Sequence, residues 1–496
     1  MTAQSKSNAR QWIWLLCLLA VVHVFVFSAA FPFFNNVDEQ IHLDLTVKYS
    51  QGHIPRSLET ISTETIPYAV IYGTHEFVWP SNNFPTEQFP PPWTQPVEKV
   101  APGLAAAKAA WNQVINHETS QPPLYYTLAG LWWWIGKICG FDGGQLLYWL
   151  RFLNIPFIAM LVWLGYATAR TVFPENQFIQ IAVPALIAFF PQSIFYAINN
   201  DILSPLTFGL AFLLLLKFFQ TETPGPRLGI ATGLALAATY LTKISNLPLL
   251  VVSGIFIALK IFQLARAGIL RGSISPLAAL FYCAAIPAIA WLAWTKYNFG
   301  DFTGAAAKIR FLGWTYKPFL EWWHHPIFTP QGFGTFLHDL LATFWQGEIL
   351  WHRRTLALPS VDMVYVLFTC VVIASALINL LPKFKSATMP QREALWFSFA
   401  CFGATIAFLG FLSIIYDFHD CFYPSTAHPY FTSGRLMLGA LIPFLLLFVY
   451  GLNGVLKKFS NPVKFLVLAA MILFMLISEI TIDWPVFSSA YNWFHM

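Results

Sequence analysis

The sequence predicts an all-α polytopic membrane protein, and three observations carry that prediction. Only 10% of the 496 residues are charged and 57% are hydrophobic, where a soluble domain has about 25% charged residues. Apolar runs of spanning length recur from end to end. The net charge of +5 is scattered over the short segments between those runs rather than gathered into one patch, which is the signature of membrane topology and not of nucleic-acid binding.

The elements follow in order. Lys6 and Arg10 precede an apolar stretch from Trp12 to Phe31. A secretory signal with "FSAAF" as its cleavage site has this layout, but the apolar stretch is long for one and suits a retained span. Further apolar runs lie near 149–169, 178–198, 203–219, 229–243, 246–264, 275–296, 362–382, 394–415, 434–453 and 463–483. Loop charge decides whether Leu124–Cys139 is another. If it does not cross, the N-terminus is cytoplasmic together with the loops holding Arg170, Lys217/Arg227, Arg266/Arg271, Lys383/Lys385/Arg392 and Lys457/Lys458/Lys464. Crossing would invert them all. The segment also holds Trp132, Trp133 and Trp134, which favour the headgroup level. Eleven spans follow, with an external C-terminus and two large outward loops, 32–148 and 297–361, carrying interfacial helices. The first loop contains the extended stretch "FPPPWTQP". No low-complexity tail, repeat or soluble domain is visible, so residues 1–496 form one membrane domain. Cys17, Cys283, Cys370 and Cys401 lie in apolar runs, Cys139 ends one, and Cys421 is alone in a loop. Neither disulfides nor zinc are implied.

The chemistry concentrates first in "FNNVDEQIHLDL", Phe34 to Leu45. Asp38 and Glu39 stand side by side where the first span ends. The chain continues as a helix with Asp38, His42, Leu45 and Tyr49 near one face, ended by Gly52 and Pro55. Ionisable groups at a membrane edge are costly unless they serve a pathway or a site. Loop charge alone places Asp38, Glu39, His42, Asp201, Lys243 and Arg435 on one outer face.

An acidic pair after the first span, then a helix ending in Tyr-x-x-Gly-x-x-Pro, resembles the first external loop of GT-C glycosyltransferases. These integral membrane enzymes take a sugar from a polyprenyl phosphate and include protein O-mannosyltransferases and aminoarabinose transferases. "QPPLYY" (Gln121 to Tyr126), Arg151, "NNDILSP" with Asp201, "YLTKISN" with Thr242 and Lys243, and "SGRLMLGALIP" with Gly434 and Arg435 resemble further elements of that family, in order. Val37, Gln121 and Leu436 stand where the family has Pro, His and an aromatic residue. "TFWQGEILW" and "LPSVDMVY" resemble a bacterial branch, the domain of unknown function 2142.

The resemblance implies a GT-C-like fold in a bacterial inner membrane, with the site facing outward. The donor would be a polyprenyl-phosphate monosaccharide, and the acceptor a hydroxyl of an exported glycan, lipid or protein, with inversion at the anomeric carbon. Asp38 would be the general base, while Glu39 would orient hydroxyls or help hold a metal. Asp201 would bind sugar or metal, and Lys243 and Arg435 would meet the lipid phosphate, with His42 and Gln121 beside them. Any divalent cation, Mg or Mn, would fall to Asp38, Glu39 and Asp201. Such chemistry needs a base for the acceptor proton and cations for the leaving phosphate, and both residue types fall on the one face.

Other residues read more plainly. Arg353 and Arg354 suit interfacial anchoring. His324, His325, His419 and His428 are external, and "HDCFYPSTAH" matches no zinc spacing. Trp345, near Gln346, suits stacking on a sugar. The rivals are a polysaccharide polymerase or ligase of another multipass fold, and a lipid or solute transporter. A transporter calls for midplane charges and internal repeats, and neither is visible in the sequence. A fold retained without catalysis, acting as a scaffold, is a further alternative.

Overall fold

The computed structural model describes residues 3–74, 90–381, 387–421 and 424–495. Phe89, Lys383, Lys385, Phe422, Tyr423 and the side chains of Lys6 and Arg10 lie outside the described residues. The chain is built from α1 (Ala3–Ala30), α2 (Glu39–Ser50), α3 (Ile66–Tyr72), α4 (Val97–Trp111), α5 (Leu124–Ile138), α6 (Gly143–Arg151), α7 (Asn154–Val172), α8 (Gln177–Ala188), α9 (Ser204–Gln220), α10 (Pro226–Thr242), α11 (Leu247–Arg266) and α12 (Ile274–Phe299), followed by α13 (Ala305–Phe311), α14 (Pro330–Gln346), α15 (Pro359–Leu380), α16 (Met389–Ile415), α17 (Leu441–Val455) and α18 (Asn461–Phe487). Among the described residues, three two-residue antiparallel pairings supplement them: β1 (Glu59–Thr60) with β2 (Ile115–Asn116), β3 (Thr315–Tyr316) with β6 (Tyr416–Asp417), and β4 (Leu350–Trp351) with β5 (Arg354–Thr355).

Among the described residues, nine helical stretches are long and apolar enough to cross a membrane. They coincide with nine of the eleven apolar runs. The other two runs form shorter helices. α8 has 12 residues, about 18 Å, and α10 has 17, about 25 Å, against a hydrocarbon core of about 30 Å. Both stop where polar backbone is needed. After α8, Pro191 breaks the helix and the chain turns through 3-10 segments at Ser193–Tyr196 and Asn200–Leu203. After α10, Lys243 is extended and a 3-10 turn, Ile244–Asn246, leads into α11. Irregular backbone at this depth is tolerated where it is buried in protein or lines a cavity, and these two breaks meet at the candidate site.

The stretch Gly434–Val455 is the centre of the bundle, with 89% of its apolar window buried, while Leu270–Phe299 lies at the periphery with 11% buried. Apolar side chains of α1, α7, α8, α9, α14, α16 and α17 form the main core. α10 packs along α9 and α12, and α15 along α17.

Within Leu124–Cys139, the 15 residues Leu124–Ile138 form α5, laid against α2. Gly130 permits that approach, since a Cβ there would meet Ser50 N at 2.8 Å. Its tryptophans divide their labour. Trp133 is fully buried, Trp132 stacks on Trp149 at 4.3 Å with reciprocal indole-to-carbonyl hydrogen bonds, and Trp134 alone of the three is exposed.

A buried polar cluster departs from the apolar reading of the spans. His23 of α1 lies 3.0 Å from Glu479 of α18, and the Tyr196 hydroxyl donates to the same carboxylate at 2.5 Å. All three are buried. The triad fastens the first and last spans to the turn that follows α8.

Candidate active site

Asp38 caps α2 with φ +61°, in the left-handed region. Asp tolerates this conformation better than most residues. The usual side-chain cap to the helix amides is not formed, so the carboxylate is turned away from its own helix. The preceding loop is held by Asn36 Nδ2 donating to Ser193 Oγ (3.2 Å) and Asn199 Nδ2 donating to the Val37 carbonyl (3.3 Å).

The carboxylate of Asp38 faces His117 Nε2 at 3.5 Å and Arg435 at 3.8 Å. His117 and Glu118 arrive there because they follow β2 directly. Asn116 Nδ2 donates to the Ile41 carbonyl and to Asp44 of α2, which clamps that strand to the helix. Glu118 is ion-paired with Lys308, and Gln121 Nε2 donates to it at 2.5 Å. Arg435 is the hub: its guanidinium reaches Asp201 at 3.2 Å, Glu348 at 3.3 Å and Asp38. Asp201 is also paired with Lys243 at 2.5 Å. Gly434 lets this corner form, because a Cβ there would meet Phe344 N at 2.1 Å.

A cavity of about 530 Å³ opens on this cluster, with Asp38, His117, Lys308, Glu348 and Arg435 in its wall. Burial opposes the charge on Asp38, but the hydrogen bond and charge of His117, with Arg435, outweigh it and hold the carboxyl well below its usual range. Glu118 is likewise held low against burial, by Lys308 and His117. Glu348 goes the other way, since burial raises it more than Arg435 and the Ser433 hydroxyl lower it.

Several expected site residues have different surroundings. Glu39 is fully buried. Both its oxygens take hydrogen bonds from Arg151 at 2.8 Å, one accepts from Ile198 N at 3.0 Å and the other from Phe34 N at 2.7 Å. It is consumed by the fold and does not line the cavity, so a role in orienting hydroxyls or holding metal does not fit it. Arg151 also donates to the Phe31 and Pro32 carbonyls, locking the end of α1. His42 is buried and paired with the Tyr126 hydroxyl at 2.7 Å, and burial lowers its pKa to about 4. It is a neutral structural residue. Asp201 and Lys243 are buried against each other and stay behind Arg435, outside the cavity wall. Gln121 positions Glu118 and accepts from Asn200 Nδ2 at 3.3 Å.

A divalent cation finds a different donor set from the expected Asp38, Glu39 and Asp201. Asp38, His117 and Glu118 each offer one ligand atom, and these lie within 4.8 Å of one another. Two carboxylates and an imidazole suit manganese or zinc better than magnesium.

His117, Glu118, Lys308 and Glu348 were not singled out from the sequence. His117–Glu118 lies just before "QPPLYY", and Glu348 lies inside "TFWQGEILW", so both were adjacent to recognised motifs. Elsewhere, His325 Nδ1 accepts from Ile327 N and is held low, to about 4, chiefly by burial. His419 bonds the Thr315 hydroxyl at 2.8 Å. Arg353 and Arg354 are exposed on the β4–β5 hairpin. Trp345 is 2% exposed, stacks on Phe190 and Tyr365, and donates to Thr369; it is a core residue and cannot stack on a sugar.

No curated protein matches this chain. Among solved structures, the oligosaccharyltransferase of Archaeoglobus fulgidus in its apo form is similar at a TM-score of 0.39 and 13% identity, over 96% of this chain and 56% of that one. The chain thus spans little more than half the length of that protein, a likeness too loose to transfer a function. The family model described as "Predicted membrane protein (DUF2142)" matches residues 14–412. That match agrees with the branch resembled by "TFWQGEILW" and "LPSVDMVY", and it covers most of the sequence: the chain belongs to the DUF2142 family of membrane proteins.

Proposed function

We propose that this protein is a GT-C-type glycosyltransferase that moves a monosaccharide from a polyprenyl phosphate to an acceptor hydroxyl at the outer membrane surface. The observation that supports this best is the juxtaposition of ionised Asp38 and Arg435 on the wall of one cavity, where α8, α10 and the Gly434 turn leave helical geometry together.

The roles follow from the chemistry. The acceptor hydroxyl attacks the anomeric carbon from the face opposite the phosphate. Its proton passes to Asp38 as the new bond forms and the bond from carbon to phosphate oxygen breaks. Asp38 is a weak base because its carboxyl is held low, so proton transfer belongs late, when the attacking oxygen has become acidic. The charge left on the lipid phosphate is met by Arg435, which Asp201 and Glu348 hold in place. Asp38, His117 and Glu118 would hold a divalent cation, which would supply Lewis-acid stabilisation of the leaving phosphate.

Binding of undecaprenyl phosphate to the detergent-purified protein tests the cationic half of this site. Arg435→Gln weakens that binding about 10- to 100-fold on this reading, the worth of a charge-assisted contact. Undecaprenol, which lacks the phosphate, binds wild type and variant alike. Equal binding of the phosphate by both proteins contradicts the assignment.

A further inference from the structure

We infer that the same cavity carries a carbohydrate-binding subsite, distinct from the Asp38–Arg435 pair and built on one face of α14. As the seat of the acceptor it rests on the glycosyltransferase reading; as a binding site it does not.

Asp339 of α14 stands between two imidazoles, with His338 Nδ1 at 2.9 Å and His428 Nε2 at 3.4 Å. Asp362, at the start of α15, also lines the cavity. No ion pair connects these groups to Asp38 or Arg435 among the described residues. No lysine or arginine accompanies them either, because the two cations in the wall are engaged elsewhere, Lys308 by Glu118 and Arg435 by Asp38, Asp201 and Glu348.

Asp339 and Gln346 are seven residues apart in one helix, on one face, and so about 10 Å apart along it. Between them the wall is formed by Ala342 and Thr343. Gln346 and Trp314 also line the cavity, and their Nε2 and Nε1 atoms are buried with no hydrogen-bond partner among the described residues. Buried N–H groups rarely stay unpaired without a reason.

The inventory selects a ligand class. Carboxylates and imidazoles accept hydroxyl protons, and the Trp314 and Phe431 rings offer apolar surface. A sugar presents hydroxyls and an apolar C–H face, and the length of the strip suits more than one ring. A phosphate is repelled by Asp339 and Asp362. A lipid tail leaves the carboxylates and imidazoles without partners. A neutral saccharide offers hydroxyls to the carboxylates and imidazoles and a C–H face to the rings.

The test is saturation-transfer NMR on the full-length protein in an amine-oxide detergent, since glucoside and maltoside detergents would compete. The probes are maltose, cellobiose, lactose, chitobiose and mannobiose, with a trilysine peptide as comparison. The inference expects saturable transfer from at least one disaccharide. It also expects affinity at least tenfold weaker in Asp339→Asn and in Gln346→Leu, with undecaprenyl phosphate binding unchanged in both as proof of folding. Gln346→Leu serves alone if Asp339→Asn does not fold. The inference is overturned if no disaccharide binds the wild type, if the folded variants bind as the wild type does, or if trilysine binds and the sugars do not. Disaccharide binding that depends on Asp339, in a protein that transfers no sugar from any donor, keeps the subsite and removes the glycosyltransferase reading. Sugar transfer without Asp339-dependent binding does the reverse.

Discussion

Asp38 and Glu39 are neighbours in sequence and opposites in environment. A left-handed turn at Asp38 points one carboxylate into the cavity, while the next is enclosed by Arg151 and two backbone amides. The sequence marks the pair as unusual but cannot separate its members, because the separation comes from one φ angle and from an arginine 112 residues away. Breaking a buried ion pair by removing one charge costs about 3–5 kcal/mol, whereas replacing both partners with apolar groups is far milder. Glu39→Gln is therefore expected to lower thermal stability by about that amount, and Glu39→Met combined with Arg151→Leu to recover much of it, both read from melting in detergent. A Glu39→Gln protein that melts like the wild type would refute the structural role. Arg435 was legible as a cation at a helix start. Of its three carboxylate partners, Asp38 and Asp201 were expected on the same face, and only Glu348 was not, since the folding of the second loop brings it there.

At the scale of elements, α2 carries Asp38 at its N-terminus, and His42 sits between α2 and α5 against Tyr126. Burial lowers the histidine from its usual 6.5 to about 4. Between those values the unfolded chain takes up a proton that the folded protein refuses. The contribution is therefore fully present above pH 6.5 and is lost as pH falls towards 4, on the order of 3 kcal/mol. Melting temperature against pH should fall over that window in the wild type and fall less in His42→Gln; identical slopes would contradict the assignment. The turn at Gly434 is equally specific. A Cβ there would meet backbone of α14 at 2.1 Å, so Gly434→Ala must displace α14 or Arg435, with undecaprenyl phosphate binding weakened about as much as in Arg435→Gln. Unchanged binding in that variant would mean the corner is softer than its packing indicates. The helices themselves were readable from apolar runs, and nine of eleven appear at spanning length. α8 and α10 fall short because Pro191 and the Lys243 turn end them early, and those interruptions are what admit Asp201 and Lys243 to the site.

Across the whole molecule, residues far apart in sequence converge on one end of the bundle. The first long loop supplies Asp38, His117 and Glu118, the second supplies Lys308 and Glu348, and the centre of the bundle supplies Arg435. Asp38, Asp201, Lys243 and Arg435, which loop charge expects on one outer face, are linked by ion pairs. His117, Glu118 and Glu348 escaped notice because only the folding of the loops over the bundle gives them partners. The most direct measurement is turnover of a panel of radiolabelled polyprenyl-phosphate sugars by wild type and Asp38→Asn, with membrane glycan extract as acceptor and free polyprenyl phosphate as readout. The glycosyltransferase account predicts that one donor is consumed by the wild type and that Asp38→Asn loses about 100-fold or more of that rate while still binding the donor. Turnover at the same rate in both proteins, or a wild type that binds none of these donors, would contradict it.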